Sequence, residues 1–132
     1  MATYNKFTPA IETLFEGSNA GTDTWVVKLA TAVNQSAGTI TEVANGNGYT
    51  TGGNSAAVST ATQTAGTYKL VLSSPSAWTA SGAGFTFQYA VLTNSTTGTN
   101  VGYWDYGVSQ AVASGETVTV TLDGTNGVFQ AT

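Results

Sequence analysis

The chain has neither cysteine nor histidine among its 132 residues. Without cysteine there is no disulfide framework, no thiolate nucleophile and no cysteine-ligated metal. Without histidine there is no Ser-His-Asp or Cys-His arrangement and no histidine-ligated zinc or iron. Charge is scarce as well: charged residues make up 8% of the chain, with 3 basic against 7 acidic side chains and a net charge of −4. A typical globular domain carries about 25%. Binding to nucleic-acid phosphates needs clustered Lys or Arg, and so does a polybasic membrane contact. Neither nucleic acid nor a membrane is therefore expected as a partner. No run approaches the ~18 apolar residues of a membrane-spanning helix. The first residues, MATYNKFTPAIETLFEG, lack the basic start and continuous apolar run of a signal peptide. They read as part of a mature protein made in a cytoplasm.

What is present is a folding composition. Hydrophobic residues account for 41% and aromatics for 11%. Polarity comes from threonine, serine, asparagine and glutamine. Threonine is β-branched and suits the solvated face of a strand. The length fits one domain with a real core.

One helix is expected, near the start. Thr8 fits the N-cap and Pro9 the first helical position. Phe7, Ile11, Leu14 and Phe15 fall at helical spacing on one side, and Gly17 is a stop. A helix this short is marginal alone and must dock its apolar stripe. The pattern then changes to period two. TWVVKLAT places Trp25, Val27 and Leu29 on one face. TYKLVLS does the same for Tyr68, Leu70 and Leu72, and FTFQYAVLT for Phe85, Phe87, Tyr89 and Val91. ETVTVTL alternates most cleanly, with Val118, Val120 and Leu122 inward and Thr117, Thr119 and Thr121 outward. Weaker strands are expected at TITEVA, AAVSTA, VGYWDY and GVFQA. Strict alternation means one buried and one wet face. The fold class is all-β: an antiparallel β-sandwich, jelly-roll-like, with one short N-terminal amphipathic helix. Residues 1–22 form an arm and helix, and residues 23–132 the sandwich.

The glycine-rich run ANGNGYTTGGN, Ala44 to Asn54, raises the question of a phosphate cradle. A P-loop needs a lysine directly after its second glycine; here the nearest lysines are Lys28 and Lys69. A dinucleotide fingerprint needs a third glycine where Thr51 stands, and a following helix that NSAAVSTATQT does not resemble. The run reads instead as tight turns, with Tyr49 as an anchor between them. The acids are Glu12, Glu16, Asp23, Glu42, Asp105, Glu116 and Asp123, and Asp105 within YWDYG is the one surrounded by aromatics. Two carboxylates flanking a glycosidic bond would make a hydrolase, but scattered acids alone do not specify such a pair. DGTN, Asp123 to Asn126, is a fragment of a calcium loop and equally a hairpin turn. No catalytic residue, cofactor or metal is assigned, and the chain is not expected to be an enzyme. Tyr103, Trp104 and Tyr106 form a possible surface aromatic patch. Such a patch would suit stacking on sugars; the alternative puts Trp104 and Tyr106 in the core with Tyr103 over an edge. Trp78, in SAWTASG, reads as a core plug.

The series ANGNGYTTGGN, QTAGTYKLVL, FQYAVLTNSTT, GYWDYG and GETVTVTLDGTNGVF, after TYNKFTPAIETLFEG, resembles a family of small virion structural proteins of tailed bacteriophages. The resemblance spans nearly the whole chain. It implies a capsid decoration (cement) protein that binds the major capsid protein or other virion proteins at the capsid surface. It also implies a homo-oligomer, with a trimer favoured. A tail, baseplate or fibre component and a carbohydrate-binding module are the alternatives. The expected partner contact is Tyr4, Phe7, Ile11, Leu14 and Phe15.

Overall fold

The computed structural model describes residues 2–132. Its elements are β1 (Thr3–Lys6), α1 (Ala10–Glu16), β2 (Trp25–Asn34), β3 (Thr39–Glu42), β4 (Asn54–Ser55) and β5 (Val58–Thr64). After these come β6 (Thr67–Leu72), β7 (Trp78–Thr79), β8 (Phe85–Asn94), β9 (Thr99–Val112), β10 (Thr117–Val118) and β11 (Phe129–Ala131). All strand pairs are antiparallel. The main sheet runs β1-β9-β8-β2-β3, with β4 also on β2; a second sheet runs β11-β6-β5, and β10 with β7 makes a two-stranded ribbon. This is the all-β, sandwich-like architecture that the alternation implied.

Between the sheets lies one core. Ladder neighbours on a sheet share a face, so Val27 and Leu29 of β2 lie beside Leu92 and Ala90 of β8, all fully buried. Leu70 and Leu72 of β6 close the core from the second sheet. Trp25 meets Phe129 of β11 with ring centroids 6.3 Å apart.

The other face of the main sheet is covered as well. Val91 of β8 and Tyr103 of β9 are ladder partners on that face, and the ring of Phe7 lies 5.0 Å from that of Tyr103. The turn between β2 and β3 folds over the same side. The Thr8 N–H donates to the Gln35 carbonyl at 2.9 Å, and Gln35 Nε2 donates to the Lys6 carbonyl at 2.7 Å. Asn100 Nδ2 donates to the Gly38 carbonyl at 2.9 Å. This double cover explains why Ala90 to Asn94 are all buried, where alternation predicts only every second residue inside.

The glycine-rich run forms the turns its composition implied. Gly46 and Tyr49 exchange two backbone hydrogen bonds across Asn47 and Gly48. Both central residues have positive φ, 54° and 95°, as a type I′ turn requires. Tyr49 is buried beneath, and its hydroxyl donates to Glu42 Oε1 at 2.7 Å while accepting the Leu29 N–H at 3.1 Å. Burial, reinforced by Glu42, raises the Tyr49 phenol far above its ordinary value. The tyrosine anchor therefore joins the turn, β3 and the centre of β2.

The arm and helix depart from their expected contacts. β1 is a strand of the main sheet, with Tyr4 opposite Trp104 and Lys6 opposite Gly102. The helix starts after Pro9, which stands at the N-cap without a side-chain cap bond, one residue later than the Thr8 cap implied. It ends at Gly17, whose N–H donates to the Thr13 carbonyl at 2.9 Å.

Candidate functional site

The helix stripe divides into two faces. Ala10 is fully buried and Leu14 half-buried, so α1 docks on β9 of its own chain through this pair. Ala10 is small, which lets the helix approach the sheet closely. That contact turns Ile11 and Phe15, the adjacent i, i+4 pair, away from the core. Phe15 is 81% exposed and Ile11 43%.

Of the residues expected to contact a partner, Phe7 is corrected. It is 0% exposed, in the core against Tyr103, because β1 and the Thr8–Gln35 bond carry it under the β2–β3 turn. Tyr4, Ile11, Leu14 and Phe15 do come together. They line one side of a groove of about 700 Å³, whose other side is formed by Tyr68 of β6 and Phe129 to Thr132 at the C-terminal end. Tyr4 is 38% exposed overall, but its hydroxyl end lies over Gly102, and burial pushes the phenol up to about 12.

The aromatic patch is not one surface. Tyr103 is 7% exposed and lies between Phe7 and Tyr89, at centroid distances of 5.0 and 5.7 Å. Trp104 and Tyr106 are half-buried. Trp104 packs on Tyr4 at 5.0 Å, and Tyr106 sets its edge on Phe87 at 5.2 Å. The reading that placed Trp104 and Tyr106 against the core is the better one. Tyr103 goes further inside than an edge position because both faces of the sheet are covered. Trp78 is buried in the core as expected, with Tyr49 stacked near it at 6.5 Å.

The carboxylates hold loops and turns. Asp105 Oδ1 accepts the Gly107 N–H at 2.8 Å and Gln88 Nε2 at 3.2 Å. In DGTN, Asp123 Oδ1 accepts the N–H groups of Thr125 and Asn126, each at 2.8 Å. Those bonds, the Asn126 backbone first, hold the Asp123 carboxyl below the usual range. Asp23 accepts Asn94 Nδ2 at 2.7 Å and the Asn19 N–H at 2.9 Å, and the Asn94 bond above all lowers its pKa. Glu42 Oε1 takes the Tyr49 hydroxyl and the Gly52 N–H at 2.7 and 2.6 Å. Among the described residues no three Asp or Glu side chains gather as a metal site would require, and no helix is long and apolar enough to cross a membrane.

The C-terminal side of the groove had no sequence signal. GVFQA reads as a weak strand, and only the pairing of Phe129 with Leu70 brings it beside the helix. Comparison with protein-family models, curated proteins and solved structures finds no match to this chain.

Proposed function

We propose that the protein is a structural component of a bacteriophage virion, a decoration (cement) protein that binds and stabilises the shell of the major capsid protein. The observation that carries this reading is the apolar pair Ile11 and Phe15, exposed beside the groove between α1 and β11. Phe15, 81% exposed, and Ile11 extend the apolar lining of the groove onto the surface, which supports reading it as a protein contact. A helix docked on a cross-braced β framework presents that surface rigidly, so little ordering opposes binding. On a shell, many copies meet equivalent sites, and a homo-oligomer adds weak contacts together through avidity. The series of motifs resembling phage virion proteins supports the same assignment.

The test is co-sedimentation with shells assembled from the major capsid protein of the same phage and lacking this chain. Wild type should pellet with them. Ile11→Ser/Phe15→Ser should stay in the supernatant with its circular dichroism and melting temperature unchanged, since neither side chain is in the core. Point substitution is sharper than removing residues 1–16, which would also take away β1 and the buried Phe7. Full decoration by the double variant would sink the assignment of this surface. Binding of wild type to tails and not to shells would move the protein to the tail or baseplate. The carbohydrate-binding alternative is less favoured, because Trp78 and Tyr103 are buried and Trp104 and Tyr106 are half-buried against Tyr4 and Phe87.

A further inference from the structure

The second sheet ends in a strand without the usual protections. An edge strand offers unpaired N–H and C=O groups, and proteins blunt such edges with charge, proline, shortness or bulges. β1 is four residues long and ends in Lys6, β3 is four and ends in Glu42, and β11 is three. β9 runs past β1, but its residues 106–109 bulge opposite Gln88 alone. β5, VSTATQT, is seven residues long with no charge and no proline. Its one irregularity falls at Ser59, between the pairs Val58–Leu72 and Thr60–Val71, which leaves Thr60–Thr64 regular.

The pairing on its inner side decides what the outer side offers. β5 and β6 are joined by the two-residue turn Ala65–Gly66, both with positive φ, 51° and 86°. In such a hairpin the flanking residues, Thr64 and Thr67, exchange both backbone bonds, and alternate residues follow. Thr62 and Thr60 therefore face β6, while Ala61 and Gln63 turn their backbone groups outward. Among the described residues no backbone hydrogen bond from outside the β5–β6 ladder reaches Ala61 or Gln63.

We propose that this edge pairs with the β5 edge of a second copy of the chain, antiparallel, on a two-fold axis through Thr62. That register sets Ala61 opposite Gln63 of the other copy, so that their outward groups form four hydrogen bonds. Thr62 then lies opposite Thr62, and Thr60 opposite Thr64, in the close non-hydrogen-bonded pairs where threonines favour one another. The three threonines lie on one exposed face with Thr67 and Lys69, so the two second sheets join into a continuous threonine surface. No charge opposes the contact. The nearest cation on that face, Lys69, is one strand inward. The two Lys69 chains are therefore three strand spacings apart, about 14 Å, beyond the ~8 Å screening length at physiological salt. An isologous two-fold contact builds a dimer, or an assembly of even number, rather than the trimer that the family resemblance implies. The proposal does not rest on the virion assignment.

The test measures the mass of the full chain by sedimentation equilibrium over a wide concentration range. Wild type is expected to dimerise. Thr60→Lys/Thr64→Lys sets lysine opposite lysine twice and should weaken the dimer at least about tenfold. Thr60→Lys/Thr64→Glu adds the same number of charges but sets lysine opposite glutamate, and should restore the dimer. Both sites are exposed, and circular dichroism checks that each variant is folded. The single variant Thr62→Lys, which opposes a lysine to its own copy, provides a second disruption. Wild type that stays monomeric at its highest soluble concentration overturns the proposal. So does a Lys/Lys variant as dimeric as wild type, or a folded Lys/Glu variant no more dimeric than Lys/Lys.

Discussion

Gly52 and Gly53 are adjacent, look alike in sequence and both have positive φ, 101° and 72°. Their surroundings differ. A Cβ on Gly52 would meet nothing within 4 Å. A Cβ on Gly53 would overlap the carbonyl of Val27 and lie against the Cα of Lys28, the backbone of β2 in the main sheet. Any L-residue at either site bears a backbone strain of order 1–3 kcal/mol. Gly52→Ala should cost only that, because its N–H can still reach Glu42. Gly53→Ala adds the overlap, and the obstacle is backbone of a paired strand that cannot rotate aside; forced overpacking adds about 1–3 kcal/mol. The expected losses are therefore roughly 2 kcal/mol for Gly52→Ala and roughly 4 kcal/mol for Gly53→Ala. Against a domain stability of about 5–15 kcal/mol, the second approaches loss of the fold.

Urea unfolding followed by the fluorescence of Trp25 and Trp78, both in the core, reads the difference directly. With an m-value near 1.5 kcal/mol/M, Gly53→Ala should move the midpoint by about 2.7 M and Gly52→Ala by about 1.3 M. The same contrast should hold one turn earlier. Gly48 abuts the Thr79 backbone, while Gly46 faces open space. Equal midpoints for Gly52→Ala and Gly53→Ala would refute the reasoning, since close packing of this loop on β2 would then contribute nothing beyond conformational strain.

Tyr49→Phe should cost about 1–3 kcal/mol in the same assay, because it strands the buried Leu29 N–H and removes a donor to Glu42. Asp23 gives a pH dependence. Its folded pKa is depressed, chiefly by Asn94, so the unfolded chain takes up the proton first as pH falls. The stabilisation is present in full above the ordinary carboxylate range near pH 4 and is lost on further acidification. Asp23→Asn should flatten that acid limb of the midpoint-versus-pH curve; an unchanged limb would show that the Asp23–Asn94 bond does not stabilise the fold.

Period-two alternation revealed the strands because most of them have one wet face. It placed Trp25, Val27 and Leu29 inside, and likewise Leu70 and Leu72. It also placed Val118, Val120 and Leu122 inside, though only Thr117–Val118 has a partner strand; burial of a side chain does not require a ladder bond. Where the sheet is covered twice, alternation loses its meaning. Ala90 to Asn94 and Tyr103 went inside for that reason, and the cover comes from a turn and an arm distant in sequence.

The placing of the helix stripe was half legible for a related cause. Helical spacing groups Phe7, Ile11, Leu14 and Phe15 but cannot say which residue a helix buries when a small one is also available. Ala10 took that place, and this rotated the stripe so that Ile11 and Phe15 face outward. A seven-residue helix that docks through one buried alanine and the half-buried Leu14 is too short to hold its place by its own docking. Its position is secured instead by β1, Phe7 and the Thr8–Gln35 bond on one side and by Gly17 on the other. That arrangement leaves two large apolar side chains of the helix free of any structural duty. Keeping them exposed adds nothing to the packing of the core, and for that reason the proposed partner contact is placed on Ile11 and Phe15.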